Sequence, residues 1–140
     1  MIDASRLAAD LERHEGRKRY AYQVDGKWHI GVGTLIDGRF GGSLTDDEVS
    51  MIFANRISTH MREMYAAIPW VHTLSEPRQR ALANMAFQLG VPRLLGFTKM
   101  LACLQAGDWL GAHTNALDST WAEQTPGRAK EVALQLRDGI

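Results

Sequence analysis

The chain has 140 residues, 45% of them hydrophobic and 23% charged, with 16 basic against 16 acidic side chains and a formal net charge of zero. That is enough for one domain with a real core, and it excludes the disordered and collagen-like classes. The balance also argues against a nucleic-acid partner, because neutralising several phosphates needs a basic excess. A lone cysteine, Cys103, rules out an intramolecular disulfide. The first residues mix acids and bases with no long apolar run, so neither a signal peptide nor a membrane anchor is expected.

In chain order, Asp3 is placed to cap a first helix whose apolar positions Leu7, Ala8 and Leu11 recur at helical spacing, and Gly16 ends it. Two β-prone runs follow, from Tyr20 to Gly33, separated by Asp25-Gly26, a dipeptide suited to a tight type I′ turn. A two-residue loop there pairs Val24 with Lys27, Gln23 with Trp28, Tyr22 with His29 and Ala21 with Ile30. Tyr22, Val24 and His29 then share one face, and Ala21, Trp28, Ile30 and Val32 the other.

A connection rich in glycine (Gly38, Gly41, Gly42) leads to Thr45-Asp-Asp-Glu48, a capping box opening a long helix with apolar positions from Val49 to Ile68, before Pro69 stops it. Roughly 24 residues at 1.5 Å each reach about 36 Å, longer than a compact lobe needs, which suggests a bridge between two lobes. Shorter helices follow: one opened by Ser75 and closed by Gly90, one from Thr98 to Gly107, one begun by Asp108, and a last one at Thr125-Pro126. The expected fold class is α+β: a hairpin lobe over about 14–44, a connecting helix over about 45–68, and a helical lobe over about 69–140 that includes the N-terminal helix.

Among the carboxylates, Glu15 stands out. It sits at the C-terminal end of its helix, where the macrodipole disfavours negative charge and so suits a proton donor. His60, His72 and His113 show no metal-ligand spacing and no companion cysteines, so neither a metal nor another cofactor is expected.

The order helix, Glu15-Gly16, hairpin ending Trp28-His-Ile-Gly-Val-Gly33, long capped helix, Arg80-Ala-Leu-Ala-Asn-Met-Ala-Phe-Gln-Leu-Gly90, Gly96-Phe-Thr98, and Gln124-Thr-Pro-Gly-Arg-Ala-Lys130 resembles the phage lysozymes of the T-even type. The resemblance runs through essentially the whole chain and implies a lysozyme-like fold. It also implies cleavage of the β-1,4 bond between N-acetylmuramic acid and N-acetylglucosamine, with Glu15 as the acid. Tyr22, Leu35, Phe87, Gln88 and Asn115 fall at positions that look like substrate contacts. Arg128 matches an arginine that helps hold the acid's surroundings. Primary amides such as those of Gln88 and Asn115 donate and accept at once, as sugar hydroxyl and acetamido groups require. Phe87 and Leu35 serve equally well as core residues.

One departure bears on the mechanism. Glycoside hydrolysis normally uses two carboxylates. The family's second is an aspartate two residues after the tyrosine matched by Tyr22, and here that position is Val24. Asp25 is the nearest acid, but it lies in the turn. His29 stands where the family has a water-orienting threonine. An imidazole is largely neutral near pH 7, which suits it to act as a base toward water or a nucleophile at the anomeric carbon.

The resemblance therefore implies a muramidase with an altered second catalytic group. It would be a monomeric endolysin made in a host cytoplasm that acts on peptidoglycan strands at the wall once a holin-type protein has permeabilised the membrane. A virion-associated wall-penetrating module has the same chemistry. The rival reading is a degenerate lysozyme-fold protein that binds glycan or a protein partner without cleaving.

Overall fold

The computed structural model describes residues 3–37 and 42–140. The chain divides into two compact units, Met1–Met51 and Ile52–Ile140, with the boundary inside a long helix.

In the first unit, α1 (Ala4–Glu15) begins where the Asp3 carboxylate accepts the backbone N–H groups of Ser5 and Arg6 at 3.0 and 3.1 Å. These are two of the donors that a helix start leaves without partners. The helix ends at Gly16, whose φ of 72° and ψ of 159° fit only glycine comfortably. Three strands follow, β1 (Lys18–Val24), β2 (Lys27–Gly31) and β3 (Thr34–Leu35), in one antiparallel sheet of order β1-β2-β3.

Asp25 and Gly26 have φ of 50° and 76°, as a type I′ turn demands, and the expected pairs Val24 with Lys27, Gln23 with Trp28, and Tyr22 with His29 are all present. The register breaks beyond that point. Lys18, not Tyr20, faces Gly31, so residues 19–21 oppose Ile30 alone and the expected pair of Ala21 with Ile30 is absent. Extra residues on one strand are absorbed as a bulge, which bends and twists the ribbon.

The two residues of β3 carry too little pattern to be legible in sequence. Their place is set by His29 pairing with Leu35, Ile30 with Thr34, and the Trp28 N–H donating to Asp37 Oδ2 at 2.8 Å. Gly38 and Gly41 of the glycine-rich connection lie outside the described residues. None of the described residues of this unit is fully buried.

The capping box forms as expected: Thr45 N–H donates to Glu48 Oε2 at 2.8 Å and Glu48 N–H to Thr45 Oγ at 3.3 Å. It opens α2 (Asp46–Ala67), whose 22 residues reach about 33 Å. The helix stops at Ala67 because Ile68 precedes Pro69, and a residue before proline is pushed out of the helical region; Ile68 has φ −131° and ψ 71°.

The second unit holds the core. A 3₁₀ turn over Pro69–Thr73 leads to α3 (Glu76–Leu89), α4 (Val91–Leu95), α5 (Thr98–Ala106), α6 (Trp109–Leu117), α7 (Thr120–Gln124) and α8 (Pro126–Asp138). The 3₁₀ turn, α4 and α7 were not expected, being too short to show a period of their own. Buried stripes run along α3 (Ala81, Leu82, Met85, Ala86), α6 (Ala112, Ala116) and α8 (Ala129, Val132, Ala133, Leu136) at helical spacing, and they meet one another together with Met64, Leu94, Met100 and Leu104.

Arg78 joins two ends of this unit. Its guanidinium lies 3.8 Å from the Trp109 ring centroid and donates to the carbonyls of Leu136 and Arg137 at 2.8 and 2.9 Å. Those are last-turn carbonyls of α8 that have no intrahelical donor, and a cation suits that end of the dipole. Arg78→Ala is expected to lower the unfolding free energy of this unit by about 2 kcal/mol in urea titration. Arg78→Lys recovers only part of that, since an ammonium cannot reproduce the planar fork.

Candidate active site

The first unit gathers the acid and the residues expected opposite it. Glu15 is the last residue of α1, and its side chain lies over Gly33, the last residue of the loop between β2 and β3. A Cβ at Gly33 would stand 2.9 Å from Glu15 Oε2 and 3.0 Å from its Cδ, and Gly33 has φ +67°. The missing side chain is therefore what admits the carboxylate. The Gly33 N–H donates to Tyr22 Oη at 3.1 Å. The Tyr22 ring in turn stacks on His29, with centroids 5.7 Å apart and planes 26° from parallel. Glu15, Gly33, Tyr22 and His29 thus form a continuous series in one unit, and Glu15 and Gly33 also line a pocket of about 440 Å³ with Leu11, Arg17 and Val32.

His29 Nδ1 lies 2.9 Å from the Lys27 carbonyl oxygen. A carbonyl only accepts, so Nδ1 carries the proton, and in a neutral ring Nε2 then holds the lone pair. Val24 is 48% exposed at the end of β1. Asp25 is the only described non-glycine residue with positive φ, as its turn role requires. Leu35 is exposed on β3, directly across from His29.

The other expected contacts belong to the second unit and separate into two places. Phe87 and Arg128 line an apolar pocket of about 530 Å³ with Phe53, Ile57, Met61 and Ala83. There Phe53 and His60 meet the Phe87 ring edge-on at 5.6 and 5.5 Å, and the Arg56 guanidinium lies 4.8 Å from its centroid. Arg128 is held by Asn84, donating from Nε to its side-chain oxygen at 2.7 Å and from Nη2 to its carbonyl at 3.3 Å. Phe53, His60 and Asn84 were missed from sequence, where α2 and α3 show only an apolar period.

Asn115 lines a second, more polar pocket of about 590 Å³ with Arg93, Thr98, Lys99, Ser119 and Trp121. Its Nδ2 donates to the Gly111 carbonyl at 2.8 Å and to Cys103 Sγ at 3.8 Å, which leaves the amide oxygen as the group it offers a ligand. Gln88 is joined to this pocket through Trp121: the indole N–H of that buried ring donates to Gln88 Oε1 at 2.9 Å, so the Gln88 NH₂ group is what remains to offer. Beside Asn115, burial and then the Asp108 carboxylate push the Cys103 thiol up from its ordinary range. No group of three or more metal-ligating side chains is present among the described residues, and no helix of these residues is long and apolar enough to cross a membrane.

A small antiparallel sheet beside a glutamate-ended helix, followed by a helical unit, is an α+β, lysozyme-like architecture. Comparison with known proteins bears out the resemblance to the T4-type lysozymes. The chain is 26% identical over 157 residues to probable T4-type lysozyme 1 of Dictyostelium discoideum, covering 92% of each protein. It is also 26% identical over 162 residues to probable T4-type lysozyme 2 of the same organism, covering 96% of this chain and 95% of that one. Against the pre-baseplate central spike protein Gp5 of Enterobacteria phage T4 it is 36% identical over 111 residues, which are 77% of this chain and 19% of the spike protein. The chain therefore spans about a fifth of the spike protein and nearly all of the Dictyostelium proteins. No family model matches.

The contact of Glu15 with Gly33 is directly testable. Gly33→Ala should cost about 1–2 kcal/mol for the backbone conformation alone, plus a steric part from the carboxylate. In a Glu15→Ala background the atoms that clash are gone and only the backbone part remains. A double-mutant cycle by chemical denaturation should therefore be non-additive; additive costs would place the carboxylate elsewhere.

Proposed function

We propose that the chain is a peptidoglycan hydrolase, a muramidase that cleaves the β-1,4 bond between N-acetylmuramic acid and N-acetylglucosamine. The observation that carries this reading is the Glu15 carboxylate seated on Gly33 in the same unit as a histidine whose tautomer leaves Nε2 basic. The T4-type lysozymes among its relatives support it.

On this reading Glu15 donates its proton to the glycosidic oxygen as the bond to the anomeric carbon breaks. His29 takes the part of the missing aspartate, because the apolar side chain of Val24 neither accepts a proton nor attacks carbon. As a base, Nε2 removes a proton from the water that attacks the anomeric carbon, and the product is inverted. As a nucleophile, Nε2 bonds to that carbon and is displaced by water, whose proton passes to the Glu15 carboxylate, and the product is retained. Asp25 is the alternative base. Its place in the turn argues for a structural role.

Leu35, Phe87, Gln88, Asn115 and Arg128 are the proposed substrate contacts, and Tyr22 is assigned a positioning part instead. The hydrogen bonds already made leave Gln88 a donor and Asn115 an acceptor, the pair of functions that an acetamido group needs. Glycan strands are the partner, and a monomeric, bacteriolytic endolysin reached by way of a holin-type protein is the biological setting that fits this chemistry. The second reading, a non-cleaving binder of glycan or protein, is favoured by Val24 alone.

Digestion of purified peptidoglycan separates the readings. Glu15→Gln should slow muropeptide release by about 10²–10⁴-fold. His29→Thr should also slow it, whereas Asp25→Asn should leave it within a few-fold of the wild type. Release by the wild type no greater than by Glu15→Gln would overturn the enzyme reading, and full activity of His29→Thr would transfer the base to Asp25.

The zero net charge makes a further prediction. Long-range attraction to an anionic wall is small for a balanced chain, so wall binding should change little between low and moderate salt. A pull-down with insoluble peptidoglycan across a salt series reads this directly.

A further inference from the structure

We propose that Tyr22 is a positioning residue that sets the proton-donor and base sides of the site with one side chain. Its ring face fixes the plane of His29, and its hydroxyl fixes the backbone on which Glu15 rests. The catalytic part of this proposal rests on the muramidase reading above.

Three contacts carry the inference. Tyr22 and His29 are directly paired across β1 and β2, and their rings stack at 5.7 Å and 26°. The Lys27 carbonyl holds His29 Nδ1 at 2.9 Å, within the same strand. Tyr22 Oη accepts the Gly33 N–H at 3.1 Å, and the Glu15 carboxylate lies against the Cα of that same glycine. Each contact restrains a different freedom. The carbonyl selects the Nδ1–H tautomer, the stack sets the ring torsion that lets Nδ1 reach that carbonyl, and the hydroxyl sets the height of the loop under the acid.

The stack matters because a free neutral histidine prefers its proton on Nε2, which would leave no lone pair there. A ring free to rotate away from the Lys27 carbonyl would return to that preference. Both halves of the arrangement depend on the bulge between Lys18 and Tyr22 ending at Tyr22, so that the pairing from Tyr22 to the turn is regular.

The test has one arm that needs no activity. In protein labelled with ¹⁵N histidine at about pH 9, where an imidazole is neutral, the His29 nitrogens should report Nδ1–H and an unprotonated Nε2. In Tyr22→Leu the proton should shift toward Nε2, while Tyr22→Phe, which keeps the stack, should retain the tautomer. Tyr22→Phe should instead raise the hydrogen-exchange rate of the Gly33 amide.

In peptidoglycan digestion, Tyr22→Phe should lower kcat about tenfold and Tyr22→Leu about a hundredfold with little change in KM, in line with the cost of small misplacements of reacting groups. A wild-type His29 protonated on Nε2 would overturn the proposal, as would Tyr22→Phe with an unchanged Gly33 exchange rate and unchanged kcat. An inactive wild type showing the Nδ1–H tautomer and Gly33 protection would sink the muramidase reading and leave the positioning geometry standing.

Discussion

The first unit depends on one constraint, the pair of left-handed residues at Asp25 and Gly26. With none of its described residues fully buried, this unit relies on local geometry, above all on the tight turn. A two-residue loop leaves the flanking strands one register near the turn. That register puts Tyr22 across from His29, and His29 next to Leu35 of β3. A one-residue slip would reverse every side chain, sending the histidine to the opposite face and ending its stack on tyrosine. The pairing of Tyr22 with His29 is thus a consequence of the turn, to which Asp25 contributes its left-handed backbone.

The second unit is governed differently. Its helices meet through small residues, above all the alanines of α3, α6 and α8, which let the backbones approach and enclose Leu82, Met85 and Leu136. Arg78 adds a polar tie by serving the open carbonyls of α8 while lying over Trp109. A unit built this way can hold side chains such as Asn115 and Gln88 in fixed roles, because Gly111 and Trp121, which occupy half of each amide, are themselves part of packed helices. The contrast places Glu15 and His29 on a lightly packed unit and Gln88, Asn115 and Arg128 on one with a buried core.

On the proposed mechanism, the apolar side chain at position 24 transfers the second catalytic part to His29. Five residues after Val24 stands a histidine whose ring is oriented by two neighbours from different strands, Tyr22 and Lys27. Such support is what an acting group needs, since a base or nucleophile works only when its lone pair is held toward the reacting atom. Glu15 gains its own support from an absence, the missing Cβ of Gly33.

Much of this was legible in the order of the residues. Asp3, Gly16, the Asp25-Gly26 turn, the capping box at Thr45 and the helix boundaries at Ser75, Gly90 and Gly107 are local signals, each depending on residues a few positions apart. The placement of Tyr22 against His29 followed from the turn alone. Tertiary structure decided what no local rule reaches: the bulge that removed the Ala21 with Ile30 pair, the third strand, the seat of Glu15 on a glycine eighteen positions away, and the partners already held by Gln88, Asn115 and Arg128. The physical reason is range. A cap or turn is specified by the torsions of neighbouring residues, whereas a contact between distant side chains exists only after the chain has folded and brought them together.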